Sequence, residues 1–238
     1  HVLYGGCRQM QFASARIVPL KAPPAMAKVA SELVAQGFGF LKLKLSGDEV
    51  LDVARVKAVR EAAGTGVRLM ADANESYQPK AAIRMINKIV DFGIELIEQP
   101  TPGHDLAGLA QVTRAVPIPV EADESAPDVA SILRIAEMRA AESISLRIMN
   151  LGGISKTLQA VAVCEAAGLQ YRFGAIFGSR VMHAHTLQLA STLRPSAFAH
   201  EFSEFSLFLN DPFDGLSLHQ GMVAVPQGVG TGVYLRAG

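Results

Sequence analysis

The feature that most constrains this chain is alternation. Short apolar runs give way to amphipathic stretches, and the unit recurs about every 25 residues, the signature of βα units around a parallel sheet. The pattern predicts strands over residues 11–19, 40–45, 67–72, 94–98, 118–123, 143–148, 169–174 and 198–202. Helices are expected over 24–36, 49–63, 79–92, 106–115, 127–139, 155–167 and 179–193. Asp48 and Ser155 read as N-caps, and Gly37, Gly64 and Gly168 as terminators. Eight parallel strands with helices between them suggest an α/β fold closed into a barrel; a doubly wound sheet shares the same local pattern. From Pro212 the chain turns rich in Gly and Pro. The expected organisation is therefore a barrel over residues 1–210 and an extended segment over 211–238 packing beyond it.

Composition narrows the function classes. Lys plus Arg equals Asp plus Glu at 22 each, so no field of one sign would recruit nucleic acid or an anionic membrane. No apolar stretch approaches the roughly 20 residues of a spanning helix, and no secretory signal is visible. Cys7 and Cys164 lie in no metal-binding pattern and read as reduced thiols, which points to the cytoplasm. The first residue is His1, so an upstream segment is expected to be missing.

In a barrel, chemistry sits at the C-terminal ends of the strands. Three successive predicted strands end in acids: Asp72, Glu98 and Asp123. Adjacent strands lie about 4.8 Å apart, so three carboxylates there repel one another unless a cation sits among them. Hard oxygen donors suit Mg²⁺, with Mn²⁺ an alternative. Each acid alone could equally be a helix cap. Lys42 and Lys44 are two apart on one strand and share a face. Inside a barrel each should depress the other's pKa, and a lysine lowered to roughly 7 to 8 is a competent general base.

These residues carry a resemblance. Leu41-Lys42-Leu43-Lys44, Asp72-Ala73-Asn74, Ile97-Glu98-Gln99-Pro100 and Ala122-Asp123-Glu124-Ser125, in this order and spacing, resemble the mandelate racemase and muconate lactonizing enzyme branch of the enolase superfamily. The resemblance extends over roughly residues 3–235, including Leu151-Gly152-Gly153-Ile154 and the Pro226 to Val233 stretch. It implies a (β/α)7β TIM-like barrel, with the family's N-terminal α+β capping domain absent from this chain. It implies Asp72, Glu98 and Asp123 as Mg²⁺ ligands, with Asn74 and Glu124 near substrate or behind the ligands. It implies Lys44 as the base that removes a proton α to a carboxylate, tuned by Lys42, the resulting enediolate being stabilised by the metal.

Two further departures from the family pattern shape the expected chemistry. Where the family usually carries a lysine at the end of the sixth strand, this chain has Arg147. A guanidinium is no base near neutral pH, so Arg147 would bind an anionic group, or pair with Asp123 or Glu124. After the seventh strand no acid appears before Arg180. With one clear base, β-elimination or cycloisomerisation is placed ahead of racemisation or epimerisation, and a catalytically inactive binding barrel is a third reading. The expected partner is a small carboxylate substrate, and a homo-oligomer is expected. His183 and His185 do not share a helix face, and His200 reads as a core residue more readily than a ligand.

Overall fold

A computed structural model describes residues 2–236. Its strands are β1 (Gln11–Ala13), β2 (Arg16–Val18), β3 (Phe40–Lys44), β4 (Arg68–Asp72), β5 (Ile94–Glu98), β6 (Val120–Ala122), β7 (Ser143–Leu146) and β8 (Gln170–Phe173). Between them run α1 (Pro23–Ala35), α2 (Glu49–Ala63), α3 (Pro79–Ile89), α4 (Leu106–Ala115), α5 (Val129–Met138), α6 (Ile148–Leu151) and α7 (Ile154–Ala167), with α8 (Arg180–Ala190) after the last. Strands β2 to β8 form one parallel sheet in chain order. Asp48, Asp105 and Asp128 cap α2, α4 and α5 with their carboxylates. No helix among the described residues is long and apolar enough to cross a membrane.

Three expectations need correcting. The run over residues 11–19 is two strands, because β1 leaves the sheet to pair antiparallel with Met222–Ala224, here β11. The last expected strand, 198–202, forms no ladder. It closes the barrel through a parallel bridge between Ser14 and His200, with Ala15 N–H donating to His200 C=O at 2.8 Å and Glu201 N–H to Phe173 C=O at 2.9 Å. Ser155 does not cap α7. Gly153, at φ 105°, occupies that place and lets the chain double back from the short α6. The tail adds β9 (Phe213–Asp214), β10 (Leu218–His219) and β12 (Tyr234–Leu235); β10 and β1 flank β11, and β12 pairs with β9.

Period-two alternation divides the buried side chains into two populations. Leu41, Leu43, Leu69, Ala71 and Ile97 belong to the large cluster shared with the helices. Met70 and Leu96 instead meet Ala15 and Ala199 in a separate small cluster, with Phe40 and Phe198 against it. Met70 and Leu96 lie two residues before Asp72 and Glu98 on the same strand faces. The barrel interior is thus apolar toward the strand starts and ionic toward their ends.

The loops after β2, β3 and β4 are tied by one buried carboxylate. Asp52 accepts from the backbone N–H of Ser46 and Gly47, from Arg55 at 2.6 Å, and from the Tyr77 hydroxyl. Arg55 also donates to the Lys21 carbonyl at 2.8 Å. Burial and the Asp52 bond push the Tyr77 hydroxyl pKa well up, so it remains a donor. Tyr77→Phe removes a hydrogen bond to a buried charge. We expect it to cost about 1.5–3 kcal/mol, read as a lowered urea midpoint with an unchanged m-value.

Candidate active site

The ends of β3, β4, β5 and β6 are in register. Lys44 pairs with Asp72, Asp72 with Glu98, and Glu98 with Glu121. Ladder partners in parallel strands share a face, so this row of side chains turns inward together. Asp123 follows two residues after Glu121, just past the end of β6.

Beneath the mouth lies a buried ionic network. Lys42 Nζ stands 2.9 Å from Glu98 Oε2, 2.8 Å from Glu201 Oε2 and 3.3 Å from Asp72 Oδ2. Arg172 reaches Glu98 at 2.5 Å, Glu201 at 2.6 Å and Glu121 at 2.7 Å. Ser143 donates to Glu121 at 2.8 Å. All six charged side chains are fully shielded from solvent. Two cations thus face Asp72, Glu98, Glu121 and Glu201.

At the mouth itself the contacts continue. Lys44 Nζ, on a side chain 24% exposed, donates to Asp72 Oδ2 at 2.6 Å and to Asn74 Oδ1 at 2.7 Å. Asn74 passes the chain on to Glu124 at 3.1 Å. Arg147 hydrogen-bonds Asp123, one of the two pairings anticipated for it. Six of the eight candidate residues therefore form one connected set, Lys42, Lys44, Asp72, Asn74, Glu98 and Glu124, while Asp123 and Arg147 pair with each other. Leu20, Met149 and Phe177, which follow directly on the C-terminal ends of β2, β7 and β8, are exposed and give the mouth an apolar rim.

The electrostatics overturn one expectation. Lys42 is not lowered by its neighbour lysine. Burial alone would lower it, but Glu201, Glu98 and Asp72 outweigh burial and raise it. Lys42 is a fixed ammonium. Burial would raise Glu98, yet Lys42 and Arg172 hold it well below the usual carboxylate range. Burial pushes Glu121 up to about 7, with Arg172 opposing and Glu98 reinforcing the shift. Burial and the Glu98 charge likewise hold Asp123 above its ordinary value, only partly offset by Arg147.

Among the described residues no three His, Cys, Asp or Glu side chains are gathered closely enough, as they stand, to hold a metal ion. The protein's own cations engage them instead. The donor chemistry nevertheless suits a hard divalent cation. Glu98 Oε1 is buried without a hydrogen-bond partner, and the interior carries more carboxylate than ammonium or guanidinium charge.

Glu121, Arg172, Glu201 and Glu204 escaped the sequence reading. Period two would have found Glu121, which shares a strand face with Asp123. Arg172 carries no such local signal: on β8 it shares a face with Gln170 and alternates with Tyr171 and Phe173, the pattern of an ordinary half-exposed strand. His200 is a core residue: buried, its Nδ1 accepts from Phe173 N–H at 3.0 Å, and burial lowers its pKa to about 3. His183 is buried and His185 exposed, so they form no pair.

The family described as enolase C-terminal domain-like matches residues 25–237. A hydrophobic dipeptide epimerase of Enterococcus faecalis is 40% identical over 152 residues, covering 64% of this chain and 43% of that protein. Muconate cycloisomerase 1 of Rhodococcus opacus is 32% identical over 197 residues, covering 82% of this chain and 53% of that protein. A solved dipeptide epimerase from Enterococcus faecalis, complexed with Mg and the dipeptide L-Leu-L-Tyr, superposes with a TM-score of 0.92 at 31% identity, over 98% of this chain and 66% of that one. The chain thus spans about half the length of the two relatives named by sequence.

Glu204 offers a test of the interior electrostatics. It is buried, its Oε2 has no partner, and burial followed by the Glu201 charge pushes its pKa up to about 7. A carboxyl raised in the folded state contributes stability below its unfolded pKa of roughly 4.3, and loses it as pH rises toward the folded value. Glu204→Gln, which mimics the protonated form, should therefore gain on the native protein between pH 5 and pH 8. Urea midpoints should show the gap widening by on the order of 2 kcal/mol. A gap independent of pH would contradict the assignment.

Proposed function

Because the chain belongs to the enolase C-terminal domain-like family of the enolase superfamily, we propose that it is the barrel part of a Mg²⁺-dependent isomerase that removes a proton α to a carboxylate. The observation that carries the reading is the register row Lys44, Asp72, Glu98 at the barrel mouth. It sets a partly exposed lysine beside two inward carboxylates. Asp72, Glu98 and Asp123 would hold the cation, which when bound supplies the positive charge that makes an α-proton acidic enough to remove. Lys44 takes the proton, and Asp72 and Asn74 fix the direction of its Nζ. Lys42 and Arg172 keep Glu98 ionised. The apolar rim of Met149 and Phe177 suits a substrate with hydrophobic side chains.

The reaction we favour is epimerisation of a small dipeptide. Arg147, which cannot act as a second base, had placed elimination and cycloisomerisation ahead of it. Similarity to dipeptide epimerases reverses that order. Arg147 still favours a second reading, chemistry on one face only, as in cycloisomerisation; a muconate cycloisomerase is among the relatives. On the first reading the opposite face receives its proton from a group other than Arg147, whose guanidinium orients a carboxylate.

Proton NMR in deuterated water, with Mg²⁺ and hydrophobic dipeptides, separates these readings. Epimerisation predicts deuterium at the α-carbon together with the second diastereomer. Deuterium entry with retained configuration selects one-face chemistry, and no exchange with any α-substituted carboxylate rejects the proposal. Lys44→Ala should slow exchange by about 10² to 10⁴-fold.

A further inference from the structure

Gln99 follows Glu98 directly, just past the end of β5. It is fully buried, and its φ of 36° is in the left-handed region, where a residue with a side chain is strained by about 1–3 kcal/mol. Such a conformation persists only where the surroundings over-determine it. Here they do. The Gln99 N–H donates to Glu121 C=O and its C=O accepts from Glu75 N–H, both at 2.9 Å. These bonds tie the ends of β4, β5 and β6 together.

The side chain is equally committed. Oε1 accepts from the backbone N–H of Asp123 at 2.9 Å and of Ser125 at 3.1 Å. Nε2 donates to the Ser125 hydroxyl and to the Thr101 carbonyl, both at 2.8 Å. The amide therefore grips the backbone on both sides of Glu124. Only a group that is both acceptor and donor can do this, and a carboxylate lacks the donor half. The turn is also closed from its far side. Ser125 Oγ donates to Gly103 C=O at 2.9 Å, and a Cβ on Gly103 would come within 3.1 Å of the Glu124 backbone.

We infer that Gln99 is a positioning residue. It holds the Asp123–Ser125 turn so that the Asp123 carboxylate stays beside Glu98, and it thereby sets the affinity of the barrel mouth for a divalent cation. The inference rests on the metal reading proposed above. Hydrogen-bonding partners of metal ligands typically govern affinity by 10 to 100-fold.

The test is calorimetric titration of the full chain with MgCl₂, without substrate. Gln99→Met keeps the length and removes all four side-chain bonds. Gln99→Asn keeps an amide one methylene short, and asparagine tolerates the left-handed backbone, so this variant stays folded if the first does not. Thr113→Val, which removes the Thr113 hydroxyl bond to Ala140 C=O at 2.7 Å on the side of the barrel where the strands begin, is the control for a destabilising change away from the mouth. We expect both Gln99 variants to weaken Mg²⁺ binding about tenfold or more, with Thr113→Val staying within about twofold of the native chain. Native affinity in the folded Gln99 variants, or an equal loss in Thr113→Val, would overturn the inference and leave the metal reading standing. A native chain that takes up no Mg²⁺ would overturn both.

Discussion

A carboxylate removed from water must find a cation or a proton, and the interior of this barrel is arranged around that requirement. Lys42 and Arg172 enter from opposite sides of the sheet, on β3 and β8, and meet on Glu98 and Glu201. Their convergence joins strands that share no ladder. Removing either cation would strand buried carboxylates, which costs far more than a lost surface pair. The network also fixes which acids are charged: Glu98 and Glu201 are held low while Glu121 is driven up. The mouth inherits this pattern, because Glu98 and Asp72 are shared between the interior and Lys44.

Above the network, precision is delegated to two buried polar hubs of different kinds. Asp52 gathers backbone N–H groups with a charge and reaches Tyr77. Gln99 gathers donors and acceptors with a neutral amide. The choice follows from surroundings. Asp52 has Arg55 to balance it, whereas a charged side chain at residue 99 would sit beside Glu98 and near Asp123 with no cation assigned to it. Neutral clamping keeps the charge balance of the mouth in the hands of the lysines and the two arginines.

Much of the frame was legible in sequence. The bounds of α2, α4 and β5 follow from capping, terminators and apolar runs, all local signals. The three acids and two lysines stood out because strand ends in parallel α/β folds collect chemistry. What escaped was non-local. Nothing within residues 11–19 announces that Gln11–Ala13 will pair with a strand more than 200 residues away. Arg172 looked like an ordinary strand residue because its partners, Glu98 and Glu201, lie 74 and 29 positions distant. The sign of the Lys42 shift failed for the same reason. The neighbouring lysine was visible, but two of the carboxylates that dominate it, Glu98 and Glu201, were not visibly its partners.

The closure at His200 carries a consequence of its own. Every other junction of the parallel sheet is a ladder, but this seam rests on a few bonds. One of them is donated to an imidazole nitrogen in place of a carbonyl. Phe12, Phe173 and Phe202 pack around that ring, His200 and Phe202 being stacked at 4.8 Å. The seam is therefore the cheapest place to open the cylinder. An acid that protonates the ring would turn an acceptor toward a donor and release it. Unzipping there would leave the remaining strands a curled open sheet with two raw edges, so the amide protons of Ala15, Phe173 and Glu201 are the first in the barrel wall to meet solvent.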